Sequence, residues 1–176
     1  WLKGAYYSHV GWLFENQKLE FGRYVPDLYK QKMLRKINSA FGLWAIAGLI
    51  LPALLAFAIT QTWQGLLLGF LWGGLARVFV VHHVTWSVNS ICHLFGSQAY
   101  ESHDESRNNP IVGILALGEG WHNNHHAFPA SARHGLAWWQ FDMSYVVIRF
   151  MAMLGLVRNV RIPDSARLAA KRIQPA

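Results

Sequence analysis

From Ile37 to Ala76 the chain holds no Asp, Glu, Lys or Arg, a charge-free run of about 40 residues. No other feature constrains the fold as strongly, since one bilayer crossing takes roughly 20 apolar residues. In hydrocarbon every backbone N–H and C=O must find a partner within the chain, which leaves helices for a run of this kind. The polar stretch Thr60-Gln61-Thr62-Trp63-Gln64 divides it near the middle. We therefore expect two crossings, residues 39–60 and 64–83, forming a helical hairpin with a short uncharged loop on the far side. Pro52 should kink the first crossing, and Gly65, Gly69, Gly73 and Gly74 should give the second a small-residue face for close packing. The alternative is a buried hairpin in a soluble bundle. Composition argues against it, because 53% of the 176 residues are hydrophobic and only 14% charged, more than one soluble core needs.

The net charge of +7 invites a nucleic-acid reading, but its distribution points elsewhere. Lys30, Lys32, Arg35 and Lys36 precede the apolar run, and Arg158, Arg161, Arg167, Lys171 and Arg172 close the chain. Basic residues flanking apolar spans favour the cytoplasmic side and anionic headgroups, and no base-reading motif accompanies them. Nucleic acid is excluded as a partner, and membrane lipids take its place. Trp1, Tyr6, Tyr7, His9, Trp12, Phe14, Phe21 and Tyr24 mark residues 1–28 as an interfacial segment. Pro26 and Asp27 offer a helix start before the basic stretch. Residues 143–155, with Arg149 inside and a basic tail after, read as an interfacial amphipathic helix. The single Cys92 excludes an internal disulfide and reads as a small core residue. The chain opens at Trp1 with no signal-like segment, so upstream residues are expected.

Chemistry concentrates in Gly118-Glu119-Gly120-Trp121-His122-Asn123-Asn124-His125-His126. In a helix His122, His125 and His126 stand at i, i+3 and i+4, placing three imidazoles on one face. Histidines also cluster on wet surfaces, but neutral imidazole is a common ligand of iron, zinc and copper. Upstream, Arg77 interrupts the second crossing, and His82, Asn89 and His93 follow at i, i+7 and i+11, the last two each about 20° from His82 on a helical wheel. Such a polar stripe leaving the bilayer costs energy unless partners or a metal satisfy it. His103 and Asp104 fall in a polar loop and read as solvated, and His134 reads as a surface group. Glu119 is a candidate to hold a ligand imidazole by its other N–H, or simply a charge favoured at a helix N-terminus.

These residues carry a family resemblance. Ser8-His9-Val10-Gly11-Trp12-Leu13, then Thr85-Trp86-Ser87-Val88-Asn89-Ser90 through His93-Leu94-Phe95-Gly96, then the histidine cluster with Phe128-Pro129, resemble the membrane-bound Δ9 fatty-acyl desaturases. His134-Gly135 with Trp138-Trp139-Gln140-Phe141-Asp142 is closer to the bacterial and cyanobacterial branch. The resemblance implies an all-α fold: an integral membrane helical hairpin plus cytoplasmic and interfacial helices carrying a His-rich metal site, in one domain over residues 1–176. It implies two non-haem irons, with His93, His122, His125 and His126 as ligands and Asn89 reaching an iron through water. Thr85 and Trp86 match residues lining the bend of an acyl tunnel. The implied reaction uses O2 and two electrons from a ferredoxin or cytochrome b5-type donor, and leaves a cis double bond in a fatty-acyl substrate.

The family's first two histidine boxes have no counterpart among these residues, so the chain resembles the C-terminal half of a desaturase and is expected to be inactive alone. Acyl-CoA-using members carry a basic pair after the G-W-L motif, where this chain has Glu15-Asn16-Gln17 with Lys18 beyond. That leaves the carrier open between CoA and a glycerolipid. A related di-iron hydroxylase and a haem carrier are the alternative readings.

Overall fold

The charge-free run folds as two helices in the computed structural model, which describes residues 2–15 and 20–174. We label the helices α1 (Leu2–His9), α2 (Lys32–Ser39), α3 (Phe41–Thr60), α4 (Trp63–Leu94), α5 (Pro110–Leu115), α6 (His122–Ala127), α7 (Met143–Met153) and α8 (Ser165–Lys171). Shorter turns cover Gly11–Phe14, Phe21–Tyr24 and Pro26–Lys30. Among the described residues no strand forms, only isolated bridges such as Ser97 with Asn108 and Asn108 with Trp121. Trp1 and the side chain of Phe21, both read as interfacial, lie outside the described residues, as do Asn16, Gln17 and Lys18 of the carrier argument. Contacts divide the chain into two compact units, Trp1–Phe14 with His83–Ala176, and Glu15–His82.

In the unit Glu15–His82, α3 and the first part of α4 form the expected hairpin. Gln61 takes the left-handed conformation (φ 54°) and ends α3, its N–H bonding to Phe57 O at 2.7 Å. Thr62 then caps α4, its hydroxyl accepting the N–H of Gly65 at 3.0 Å. Both helices are long and apolar enough to cross a membrane. Their outer surfaces carry Leu43, Trp44, Ile46, Leu51, Leu54, Leu55, Leu67 and Trp72, all exposed. Water would charge heavily for that surface, whereas lipid tails accept it.

The glycine face packs as expected. A side chain at Gly69 would collide with Ala56, Pro52 O and the Ala53 backbone, and one at Gly73 would enter the Pro52 ring. Helix α3 runs unbroken through Pro52, while the facing stretch Gly69–Ala76 of α4 widens into π-helix. Arg77, which interrupts the second crossing, is satisfied locally. Its Nε donates to Gly73 O (2.7 Å) and its Nη2 to Gly48 O of α3 (2.6 Å). Glycines leave those carbonyls uncovered, so the guanidinium reaches backbone acceptors without leaving the helix pair.

Beyond the expected crossing at residues 64–83, where a helical polar stripe was expected to continue, α4 runs to Leu94. Its last turns carry Asn89 and His93. In the unit that contains them, Val88 and Cys92 of α4 pack with Val112 of α5 as a small core, Cys92 being fully buried. Gly120 lies so close to the Val112 and Gly113 backbone that no side chain fits. Trp121, 2% exposed, stacks edge-on to Trp139 and donates Nε1–H to Phe141 O at 2.6 Å.

If the glycine face sets the hairpin, Gly69→Ala in the full-length protein should destabilise it by about 1–3 kcal/mol through overpacking. Gly42→Ala, with nothing within 4 Å of the added methyl, should be neutral or slightly stabilising. Denaturant unfolding in detergent measures both.

Candidate metal centre

Helix α6 begins at His122, and its six residues, His-Asn-Asn-His-His-Ala, split into ring-bearing and anchoring positions. Successive helical residues turn by about 100°. His126 therefore lies about 40° to one side of His122 and His125 about 60° to the other. The structure follows this arithmetic and separates the three histidines expected on one face. His126 Nε2 lies 3.0 Å from His122 Nε2, and His93 Nε2 lies 3.1 Å from the same atom. The ligand nitrogens of His93, His122 and His126 fall within 4.8 Å of one another. His125 turns away towards His134, with ring centroids 4.6 Å apart, and its Nδ1 is buried with no hydrogen-bond partner.

The geometry suits a cation. Nitrogens each about 2.1 Å from one first-row metal stand roughly 2.9–3.4 Å apart, and both observed separations fall in that interval. Three mutually close ring nitrogens cannot all be satisfied by hydrogen bonds among themselves, because each N–H can serve one acceptor. A metal at their focus would take all three lone pairs. Burial, then the neighbouring histidines, pull His122 down to about 3. Burial, then His134 and His126, lower His125.

The helix is held by its two asparagines, both fully buried. Asn123 Oδ1 accepts the N–H groups of Ala99 and Tyr100 at 2.8 and 2.9 Å, and its Nδ2 donates to Tyr100 O at 2.9 Å. Asn124 Oδ1 accepts from Asn108 Nδ2 at 2.7 Å, while its Nδ2 donates to His134 O (2.7 Å) and Gln140 Oε1 (2.9 Å). Asp142 Oδ2 in turn receives the N–H groups of His134 and Gly135 at 2.7 and 3.0 Å. These bonds fix the segment that brings His134 beside His125, so His134, expected at the surface, is half-buried.

The remaining expected site residues are placed less uniformly. Asn89 is exposed and shares with His93, Ser90 and residues of α1 the lining of a cavity of about 470 Å³. Thr85 is exposed, and Trp86 packs edge-on against His83 (5.1 Å) and His9 (6.0 Å). His9 bridges Ser90 Oγ (2.8 Å) and His83 Nδ1 (3.1 Å). Glu119 does not reach an imidazole: it sits exposed in the turn before α6, its N–H bonded to Ala116 O at 3.1 Å. The carboxylate that does is Asp104, whose Oδ2 meets His126 Nδ1. Asp104 was expected to be solvated, and only the three-dimensional path of its loop brings it here. Burial alone would raise its carboxyl, but the Ser106 hydrogen bonds and His126 outweigh this and hold it well below the usual carboxylate range.

With this geometry in place, comparison with known proteins is direct. Residues 1–159 match the fatty acid desaturase family, and the chain belongs to that family. The hex-5-enoyl-(acyl-carrier protein) acetylenase of Moorena producens is 41% identical over 98% of this chain and 54% of its own length. The palmitoyl-monogalactosyldiacylglycerol delta-7 desaturase of Arabidopsis thaliana is 41% identical over 94% and 43%. The sn-1 stearoyl-lipid 9-desaturase of Synechocystis sp. is 40% identical over 96% and 51%. The chain thus spans about half the length of the curated relatives it matches. The family and the two apolar helices make it part of a membrane protein of lipid metabolism, and the histidine cluster fits a family that generally uses iron.

Two outcomes follow. His122 shifts from 6.5 to about 3 on folding, so above pH 6.5 neither state carries its proton. As pH falls from 6.5 towards 3, only the unfolded chain takes it up, and the folded state loses stability. His125 has the same sign. Metal-free protein should therefore lose stability progressively across that window, measured as a falling midpoint in denaturant titrations at stepped pH. Separately, Asn124→Ala orphans Asn108 Nδ2 and His134 O, at roughly 1–3 kcal/mol per group, and should lower the same midpoint at pH 7.

Proposed function

We propose that the protein of which these 176 residues form part is an O2-dependent fatty acid desaturase that introduces a cis double bond, at Δ9, into a saturated acyl chain. The single observation that carries this reading is the convergence of His93 from α4 with His122 and His126 from α6, in a chain of the fatty acid desaturase family. The donor set is three imidazoles, with His125 beside them and Asn89 next to His93. It would hold part of a non-haem di-iron centre, the further ligands coming from residues outside this chain, so the chain alone should be inactive. When bound, such a centre supplies O2 activation: with two electrons from a ferredoxin or cytochrome b5-type donor and two protons, two hydrogens leave adjacent methylenes and two waters form.

The chain's own residues supply the rest. An alkyl chain offers no polar handle at the reacting carbons, so position is chosen by the shape of the wall that holds it. Trp86 and Thr85 lie two helical turns before His93 on the same continuous helix, a fixed distance of about 1.5 Å per residue. A bulky ring at Trp86 therefore limits chain depth relative to the histidines. For the carrier, the Glu15-Asn16-Gln17 stretch lacks the basic pair that CoA phosphates call for. Two of the relatives above are named for glycerolipid substrates. Both support an acyl-lipid substrate over acyl-CoA. The histidine region is assigned to the cytoplasmic side by the basic residues flanking the spans.

The full-length protein, expressed in a host that lacks desaturase activity, should yield membrane lipids whose acyl chains are two hydrogens lighter, with the double bond at carbon 9. Products heavier by one oxygen would instead establish a hydroxylase, and a Soret band in the purified protein would establish a haem carrier. Single alanine variants at His93, His122 and His126 should each lower product by at least about 100-fold and lower bound iron. Retention of both in any of the three sinks that residue's assignment as a ligand.

A further inference from the structure

The loop 96–109 does more than connect α4 to α5. It is threaded across α6 and fixed there: Asn123 holds Ala99 and Tyr100, Asn123 Nδ2 also donates to Ser102 Oγ at 3.2 Å, and Asn108 holds Asn124. Within it Asp104 is itself anchored. Its Oδ1 accepts the Ser106 N–H at 3.0 Å, and its carbonyl accepts Gln98 Nε2 at 3.3 Å and Ser102 Oγ at 3.2 Å. What remains is Oδ2, and it meets His126 Nδ1. The other ring nitrogen of His126 is the one that faces His122 Nε2 at 3.0 Å. A carboxylate accepts only, so the hydrogen of a neutral His126 must lie on Nδ1, and the lone pair on Nε2 is aimed into the cluster.

We propose that Asp104 is a positioning residue for the metal centre, fixing the ligating tautomer and ring orientation of His126 and increasing its electron donation to a bound iron. Carboxylate-to-histidine support of this kind orients ligands and raises their basicity. It also explains why both asparagines of the His-Asn-Asn-His-His stretch are buried and fully bonded: they dock the loop that delivers the carboxylate. The inference rests on the cluster being a metal site, and its test separates the two ideas.

The experiment is titration of the purified, metal-free full-length protein with Fe(II) and with Co(II), whose visible spectrum reports ligand geometry. Asp104→Ala should weaken affinity by about 10–100-fold, while Asp104→Asn, which keeps an acceptor but no charge, should fall between the two and shift the Co(II) bands. Ser102→Ala, which loosens the loop without touching the carboxylate, should leave the bands in place. Affinity in Asp104→Ala within twofold of the parent overturns the proposal and leaves a surface ion pair. If Asp104→Ala does not fold, Asp104→Asn decides: parent-like affinity and bands overturn it, weaker binding with shifted bands supports it. Failure of the parent itself to bind either ion would instead overturn the reading of the cluster as a metal centre.

Discussion

The whole arrangement hangs on one atom, His122 Nε2, which has His126 Nε2 on one side at 3.0 Å and His93 Nε2 on the other at 3.1 Å. These rings come from helices 29 residues apart in sequence, one of them continuous with a membrane span. Holding two such elements to a few tenths of an ångström requires that neither rotate or slide. The last turns of α4 meet the demand where Cys92 and Val88 lock them to Val112 of α5. On the other side Gly120 lets the chain pass against the Val112–Gly113 backbone, where any larger residue would hold it off, and α6 starts two residues later.

A short helix of six residues has little stability of its own. What keeps α6 in place is polar rather than apolar. Asn123 and Asn124 make seven side-chain hydrogen bonds between them, Asn123 to residues 99–102 and Asn124 to residues 108, 134 and 140. Buried amides are costly unless fully partnered, and when partnered they admit one arrangement only. That trade suits a site where orientation of rings matters more than bulk stability. It also leaves the ring positions free to be unsatisfied, as His125 Nδ1 is, without the helix losing its anchorage.

Much of this was legible in the sequence, and the reasons differ by residue. The hairpin followed from the absence of charge between Ile37 and Ala76, because the energetic demand of lipid is uniform along the run. His93 followed from its phase with Asn89 on a helix, and the glycine face from spacing alone. Periodicity is silent on where a loop goes, so Asp104 looked like one more solvated acid among Glu101, Glu105 and Asp104 itself. Glu119 looked better placed because it is near in sequence, yet the Gly118 turn (φ 120°) points it outward. The separation of His125 from His122 and His126 was present in the helical angles and was obscured by grouping all three on one face.

Asp104 and Arg77 illustrate one rule in two settings. A charge near a membrane or a buried site must meet a partner, and the partner is found wherever the chain leaves a polar atom uncovered. For Arg77 the uncovered atoms are carbonyls beneath Gly48 and Gly73, local enough that composition around the residue foretells them. For Asp104 the partner is a ring 22 residues away in sequence, reached because two asparagines pull the loop over α6. The first kind of partner stabilises an element; the second links the electronic state of a ligand to the path of a loop. Because that loop and α6 are held by the same amides, the tautomer of His126 is set by the fold and not left to solvent, as a centre that ligates through a ring nitrogen requires.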